Sequence, residues 1–479
     1  MTMTTAPDRR GYSRAAASPR QALAVDHVER VPAWISLLAL FSIVFIRLPL
    51  LTVHSTASRL LIISLFAAGA AWTLSRRFPA RIFGGAAALL AAYLLIAGIA
   101  MLRGASAGVY SGSLVTILEW LIVVAMALFV VGLCASAENT AALDRRLALI
   151  VYAPAVYVAT NILLRQFRHH LPFALPQVTS LVAGGKDELA GKLGIQATRV
   201  VFPLALGVNN FGAVAAAGFG AAVVLAIRRR SSRRIPLLAA AVCLYGVLAT
   251  DSRGPFLLAI AAVLLFVMLR RVRTSGIALI LPVSPVIVLS VLGFLAGSSH
   301  AGILSRHNGD VVTANNRVFI WHTAIDFIKS LNGKLFVGYG ANGQIASHVS
   351  DGYAYLFNGT PDPTAYTTHN IALQTVLDSG YIGLLVFVVL VIAAIRALEK
   401  AVRNAVHSAA APVLALLLVI VLSGFTEALP SYIFLDTFVL FVITVAAAVG
   451  CAPLGERIAD AGPPPPAPYA ASPGRRVVA

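Results

Sequence analysis

The sequence predicts an all-α, polytopic integral membrane protein with about 12 transmembrane helices and an extracytoplasmic helical loop. Its composition is the first indication, since 59% of the 479 residues are hydrophobic, only 12% are charged and the mean hydropathy is +0.85. A soluble domain carries roughly 25% charged residues. The second indication is the arrangement, because long apolar runs alternate with short clusters of cations. This alternation is typical of a chain that crosses a bilayer repeatedly.

Twelve apolar runs come close to the roughly 20 residues that a span needs. They cover residues 33–51, 57–75, 82–102, 113–136, 147–164, 203–227, 235–250, 254–270, 275–297, 371–395, 410–428 and 432–451. The first run follows a polar, Arg-rich stretch without an apolar core, so we interpret it as an uncleaved membrane helix. The runs 235–250 and 254–270 are short and nearly fused, which predicts a tight helical hairpin.

This reading divides the chain into five parts. We expect a polar cytoplasmic tail (1–32), nine spans (33–297), a large periplasmic loop (298–369), three further spans (370–451) and a disordered Pro-rich cytoplasmic tail (452–479). Helical apolar spacing over 318–328 predicts a helix inside the large loop.

The net charge of +18 does not indicate a nucleic-acid partner, because the cations cluster between apolar runs. Lys and Arg concentrate in cytoplasmic loops. With both termini in the cytoplasm, every dense cluster falls on that side, including Arg228-Arg229-Arg230 and Arg270-Arg271. The loop 298–369 then lies outside the cytoplasm.

Metal and nucleotide chemistry find little support in the sequence. The three cysteines, Cys134, Cys243 and Cys451, lie within or at the end of apolar runs, which argues against a disulfide framework or a Cys-based metal site. No Walker A motif suggests ATP-driven transport, and the Asp-x-Asp motif of metal-dependent glycosyltransferases is absent. We therefore expect no cofactor and no metal in the chemistry.

Candidate functional residues gather on the outer side of this topology. They are Arg199, Asn209-Asn210, Arg253, Arg317 with Trp321, and His369-Asn370. Each also has a structural interpretation, as an interfacial anchor, a helix cap, a turn-stabilising ion pair or a solvated loop charge. Together, several arginines beside a histidine suit a diphosphate leaving group, because guanidinium binds phosphate oxygens bidentately and stays charged. Glu119 is a further outlier within a span, and we expect it to be paired inside the bundle.

Several motifs carry a family resemblance. His369-Asn370 is followed after nine residues by Gly380-Tyr381-Ile382-Gly383. The pattern resembles the signature of the O-antigen ligase family, which includes related exopolysaccharide polymerases. Three other segments are similar to the family in the same order along residues 199–383: Thr198-Arg199 with Asn209-Asn210-Phe211-Gly212, Asp251-Ser252-Arg253-Gly254, and Arg317 with Trp321 and Val337-Gly338-Tyr339-Gly340.

The resemblance implies a metal-independent, inverting glycosyltransferase in the bacterial inner membrane, with its site facing the periplasm. The donor would be a glycan on a polyprenyl (undecaprenyl) diphosphate, and the acceptor a hydroxyl of lipid A core or of another glycan. Arg199 and Arg253 would bind the diphosphate, and His369 would orient or deprotonate the acceptor. Arg317, Asn370, Asn210 and Trp321 complete the set of expected substrate-binding residues.

Alternatives remain open at this point. A ligase, a repeat-unit polymerase and a protein O-glycosylating enzyme need the same leaving-group chemistry. The Arg-x10-Gly pattern of some O-antigen polymerases is missing, because Asn210 and Ile328 occupy the expected glycine positions, and this favours a ligase. A transporter or flippase of lipid-linked sugars would also use membrane arginines, although it would usually show repeated halves. A purely structural scaffold leaves the outer arginine–histidine set unexplained.

Overall fold

The computed structural model describes residues 31–51, 55–76, 84–167, 200–205, 207–229, 232–250, 253–269, 317–357, 366–404 and 409–460. All regular secondary structure within these ranges is helical. Most of the two predicted tails, the predicted span 275–297 and Arg199 lie outside the described residues.

Fourteen α-helices are described, and they are numbered here in chain order. They are α1 (Ala33–Leu40), α2 (Ser42–Arg47), α3 (Ser55–Arg76), α4 (Gly85–Ser106), α5 (Ser113–Ala135), α6 (Thr140–Gln166), α7 (Val208–Arg228), α8 (Arg234–Thr250), α9 (Arg253–Leu269), α10 (Arg317–Lys329), α11 (Gly343–Ala346), α12 (Ile371–Asn404), α13 (Ala410–Ser423) and α14 (Leu435–Asp460). Short 3-10 turns cover Leu48–Leu51, Gly333–Phe336, Val349–Gly352 and Ala354–Phe357.

Seven of the described helices are long and apolar enough to cross a membrane, namely α3, α4, α5, α6, α7, α12 and α14. The prediction of twelve full spans is not confirmed. Its first span is broken into α1, α2 and a 3-10 turn. The predicted spans 235–250, 254–270 and 410–428 correspond to shorter apolar helices.

Burial explains how one of these short helices, α13, can end before it has crossed a bilayer. Nearly every residue of α13 is buried against other helices, so the chain that follows it can leave the helical conformation without exposing backbone groups to lipid. The predicted span 410–428 therefore ends early, at Ser423. Residues 424–434 form an irregular segment, called here the α13–α14 loop.

The centre of the bundle is α7, which packs against α6, α8, α9 and α13. Its buried face is rich in small residues, including Ala213, Ala216 and Gly218. Small side chains let membrane helices approach closely and gain van der Waals contact. Asn209 lies in the first turn of this helix and Arg228 ends it, so the two residues mark opposite ends of the bundle.

The predicted span 371–395 is divided in the structure, because α12 breaks at Gly380, which has φ 75° and ψ −176°. Gln374, Asp378 and Ser379 are buried polar residues before the break. The section after it, up to Val402, is long enough to cross the bilayer alone, at about 33 Å for roughly 1.5 Å per residue. The first section therefore supports a polar site rather than a lipid contact.

Residues 317–357 form a small helical unit, called here the cap, and α10 confirms the helix predicted within the large loop. Ile320, Leu335 and Tyr353 pack with Leu377 of α12 in its apolar core. The cap is also tied by backbone hydrogen bonds, from Tyr339 N to Leu377 O (2.7 Å) and from Ala341 N to Ala100 O (2.7 Å).

The break in α12 and the attachment of the cap depend on each other. Gly340 N donates to Asp378 O at 2.9 Å, just before the break. A Cβ at Gly380 would collide with the carbonyl of Phe336, and its positive φ disfavours other residues. The first glycine of the sequence signature thus serves to dock the cap on α12.

Candidate functional site

The carboxylate of Glu427, in the α13–α14 loop, joins three distant parts of the chain. Its Oε2 lies 2.9 Å from His369 Nδ1, and its Oε1 accepts a hydrogen bond from Asn209 Nδ2 at 2.9 Å. Arg317 Nη2 forms an ion pair with the same Oε1. The residue is only 8% exposed. Glu427 therefore organises the junction of α7, α10 and the segment that precedes α12.

The electrostatics of this junction keep Glu427 ionised. Burial raises the pKa of its carboxyl, but the charges of Arg317 and His369, with their hydrogen bonds, outweigh burial and lower the pKa from 4.5 to about 2. A carboxylate can only accept hydrogen bonds. When the imidazole is neutral, its one proton therefore belongs on Nδ1, and Nε2 carries the lone pair that can act as a base.

His369 is held in an unusual backbone conformation, with φ 49°. The two residues that follow it hold it in place. Asn370 caps α12 by accepting from Ala372 N at 2.9 Å and Leu373 N at 3.2 Å. Ile371 N donates to Gly424 O at 2.7 Å, which ties the start of α12 to the loop that carries Glu427.

Trp321 contacts the residue before the histidine. Its Nε1 donates to Thr368 O at 3.0 Å. Thr368 N in turn donates to Gln374 Oε1 at 3.2 Å, and Gln374 Nε2 donates to Asp378 Oδ1 at 2.9 Å. A buried polar network therefore runs from the cap to the backbone of His369. In this structure Trp321 and Asn370 make positioning contacts, and their predicted role in substrate binding stays a prediction.

Residues 237–388 match the family model described as O-antigen ligase. Over these residues the chain is similar to the O-antigen ligase family. The resemblance inferred from the motifs is thereby confirmed, and the assignment points in general terms to a membrane glycosyltransferase of ligase or polymerase type that uses lipid-linked glycans. A search of curated proteins finds no match.

The O-antigen ligase region contains Arg253, Arg317 and His369 but not Glu427. No sequence motif marked Glu427, and it fell at the end of a predicted span. A signal was nevertheless present, because an isolated acid in an apolar stretch is costly and often functional. Asn209 also lies outside the matched region, and its side chain bonds to Glu427. The predicted role of Asn210 in substrate binding stays a prediction. Asn210 is buried at the start of α7.

For the two arginines expected to bind diphosphate, Arg199 and Arg253, the structure describes nearby parts of the backbone rather than the side chains. Arg253 begins α9, although its side chain is not among those described. The next residue, Gly254, lies beside Thr426, since a Cβ there would be 3.8 Å from Thr426 Oγ1. The start of α9 therefore adjoins the α13–α14 loop. Arg199 lies outside the described residues, and Val200 N, which follows it, donates to Ala249 O at 2.8 Å near the end of α8.

The other charges noted within spans have structural partners. Glu119 pairs with Arg59 at 3.1 Å, and both side chains are buried. Arg47 Nε donates to Leu204 O at 3.1 Å. Among the described residues, His, Cys, Asp and Glu form no group of three that could hold a metal ion.

Proposed function

We propose that this chain transfers a glycan from a polyprenyl diphosphate carrier to an acceptor hydroxyl, as an O-antigen ligase-like enzyme of the bacterial inner membrane. The observation that carries the proposal is the pairing of His369 with a buried, ionised Glu427, which also binds Arg317 of the cap. This pairing supplies a base of defined tautomer.

In the proposed reaction, Nε2 of His369 takes the proton of the acceptor hydroxyl. The acceptor oxygen then forms a bond to the anomeric carbon while the bond from that carbon to the diphosphate oxygen breaks, with inversion. The electron pair of the broken bond leaves on the diphosphate. Glu427 stabilises the imidazolium, as the buried carboxylate does in Ser-His-Asp triads.

The arginines divide into two roles in this proposal. Arg199 and Arg253 bind the departing diphosphate. Each hydrogen bond to a charged group contributes about 1.5–3 kcal/mol, so together they stabilise the charge that develops on the leaving group. Arg317 holds Glu427 in place and adds positive charge beside the same junction. Asn370, Asn210 and Trp321 shape the site around the acceptor.

The location of the site follows from the charge distribution. Asn209 and the arginines after Arg228 lie at opposite ends of α7. Because clustered Lys and Arg favour the cytoplasmic side, we place His369 and the cap in the periplasm and both termini in the cytoplasm. Membrane-impermeant thiol labelling of Ser232→Cys and His348→Cys in intact cells tests this, and labelling of both from one side would contradict it.

One assay distinguishes the candidate functions. The purified chain in lipid nanodiscs is incubated with a synthetic polyprenyl-diphosphate-linked repeat, either with lipid A core or with a second lipid-linked repeat. A product on lipid A core identifies a ligase, and a product one repeat longer identifies a polymerase. No glycosidic product in any arm, together with movement of the lipid-linked sugar across the bilayer when the chain is reconstituted in sealed vesicles, would identify a flippase and overturn the proposal.

A further inference from the structure

Three large apolar side chains are exposed together on the cap. In the loop that follows α10, Leu331 is 69% exposed, Phe336 is 56% exposed and Val337 is 54% exposed. Leu335 between them is fully buried and anchors the turn. Exposed apolar side chains that are grouped rather than scattered mark a contact surface. Residues 331–337 are called here the 331–337 loop.

Two contacts place the 331–337 loop at the edge of the membrane. Val337 O accepts a hydrogen bond from Arg103 Nη1 at 3.0 Å, and Arg103 lies in the last turn of the membrane helix α4. The ring of Phe336 packs edge-on against Tyr381, with centroids 5.8 Å apart. Tyr381 directly follows the break at which the membrane-crossing section of α12 begins. The loop therefore lies where both helices reach the bilayer surface.

The apolar surface of the 331–337 loop continues into a surface that faces lipid. After Tyr381, the membrane-crossing section of α12 exposes Ile382, Leu385 and Val389. These positions recur at helical spacing and form one stripe. Since Phe336 packs on Tyr381, the stripe and the loop form one continuous apolar surface.

The charges beside the loop fit the same surroundings. Lys329 ends α10, where it also pairs with the exposed Asp326 at 3.3 Å, and Lys334 lies within the loop; both lysines are exposed. Lysine side chains extend from an apolar surface to place their ammonium groups at the level of lipid phosphates. Tyr339, whose ring lies 5.9 Å from Lys334 Nζ, belongs to the aromatic residues enriched at membrane interfaces.

We propose that the 331–337 loop is a membrane anchor of the cap. Leu331, Phe336 and Val337 insert between the lipids of the adjacent leaflet, and Lys329 and Lys334 contact lipid phosphates. The bilayer then holds the cap from one side while α12 holds it from the other. This anchor does not depend on the reaction proposed above.

Site-directed spin labelling tests the insertion in the full chain, with Cys134, Cys243 and Cys451 replaced by Ala. A nitroxide is attached at Leu331→Cys in phospholipid nanodiscs, and its collision rates with oxygen and with a water-soluble nickel chelate are compared. Leu331 contributes no buried packing, so the variant retains the fold. Leu385→Cys is the lipid reference, and His348→Cys, which is exposed elsewhere on the cap, is the water reference.

We expect the label at Leu331 to collide more often with oxygen than with the chelate, as at Leu385 and opposite to His348. A label that behaves as at His348 would overturn the proposal. A label shielded from both reagents would indicate a protein partner instead and would also overturn it. Val337→Cys provides an independent second site.

The lysines are tested by charge reversal. With anionic lipid present, Lys329→Glu combined with Lys334→Glu should lower the ratio of oxygen to chelate collisions at Leu331. Lys400→Glu, an exposed lysine at the far end of α12, is the matched control and should leave the ratio unchanged. An unchanged ratio in the double variant would exclude contact between the lysines and phosphate.

Discussion

Oε2 of Glu427 lies 2.9 Å from Nδ1 of His369, although the two residues are 58 positions apart in the sequence. His369 lies just before α12, and Glu427 lies in the loop before α14. The same carboxylate pairs with Arg317. One buried anion therefore sets both the tautomer of the histidine and the position of a cap arginine.

Glu427→Gln should lower turnover by about 10²–10⁴-fold, because the neutral amide cannot stabilise an imidazolium. The apparent KM for the lipid-linked donor should change little, since other residues bind the diphosphate. Glu399→Gln is the matched control, a buried glutamate near the far end of α12. Turnover per folded molecule is measured for both, and full turnover of Glu427→Gln would exclude the proposed dyad.

His369→Ala should lower turnover by roughly 10²–10⁴-fold if the imidazole acts as a base. Donor binding, measured by equilibrium titration, should remain. His369→Gln separates the two possible roles, because partial activity in that variant indicates orientation of the acceptor rather than proton transfer. His322→Ala, an exposed histidine on α10, is the control. An active and well-expressed His369→Ala variant would refute the catalytic role.

Glu427 should also make stability depend on pH. Its pKa falls from 4.5 to about 2 on folding, so its contribution is fully present above pH 4.5 and is lost as the pH falls toward 2. The contribution is on the order of 3 kcal/mol, at about 1.4 kcal/mol per pKa unit. The difference in thermal stability between the wild type and Glu427→Gln should therefore shrink between pH 5 and pH 3. A difference that grows in acid would contradict the assigned direction.

Arg253→Lys should weaken donor binding and turnover even though the charge is retained, because lysine cannot bind phosphate oxygens bidentately. Arg253→Ala should be more severe. Arg234→Lys, at the start of α8, is the matched control and should remain active. Unchanged turnover and donor affinity in Arg253→Lys would leave Arg253 as an anchor only.

Gly380→Ala should loosen the cap, because a Cβ there meets the Phe336 carbonyl and the φ of 75° is unfavourable. We expect a loss of about 1–3 kcal/mol in stability. Hydrogen exchange should quicken at the amides of Tyr339 and Gly340, which donate to α12. Gly85→Ala is the control, since nothing lies within 4 Å of its added Cβ. Unchanged exchange at both amides would show that the glycine is dispensable for docking.

The sequence predicted most of the helices, because apolar runs of membrane length leave the backbone few alternatives to helical hydrogen bonding. It did not predict the break at Gly380 or the early end of α13. Hydropathy reports how apolar a run is, but not whether protein or lipid surrounds it. The shielding of α13 by its neighbours allowed the loop with Glu427 to form.

The candidate site was predictable where motifs exist. Arg317 and His369 were singled out, and the structure brings both to one carboxylate. Glu427 itself depended on a long-range contact that no local spacing reveals. The choice between Asn209 and Asn210 depends on the rotation of α7 about its axis, which the sequence does not fix.

The dependence of His369 on Glu427 constrains domain exchange between related chains. A chimera that replaces residues 237–388 imports a histidine and its neighbouring arginines, but takes the opposing acid from the recipient, because Glu427 lies beyond the family region. We expect such a chimera to be active only where the recipient has a carboxylate at the position of Glu427 in its own α13–α14 loop. A graft whose junction lies after the α13–α14 loop instead carries His369 and Glu427 together and avoids this requirement.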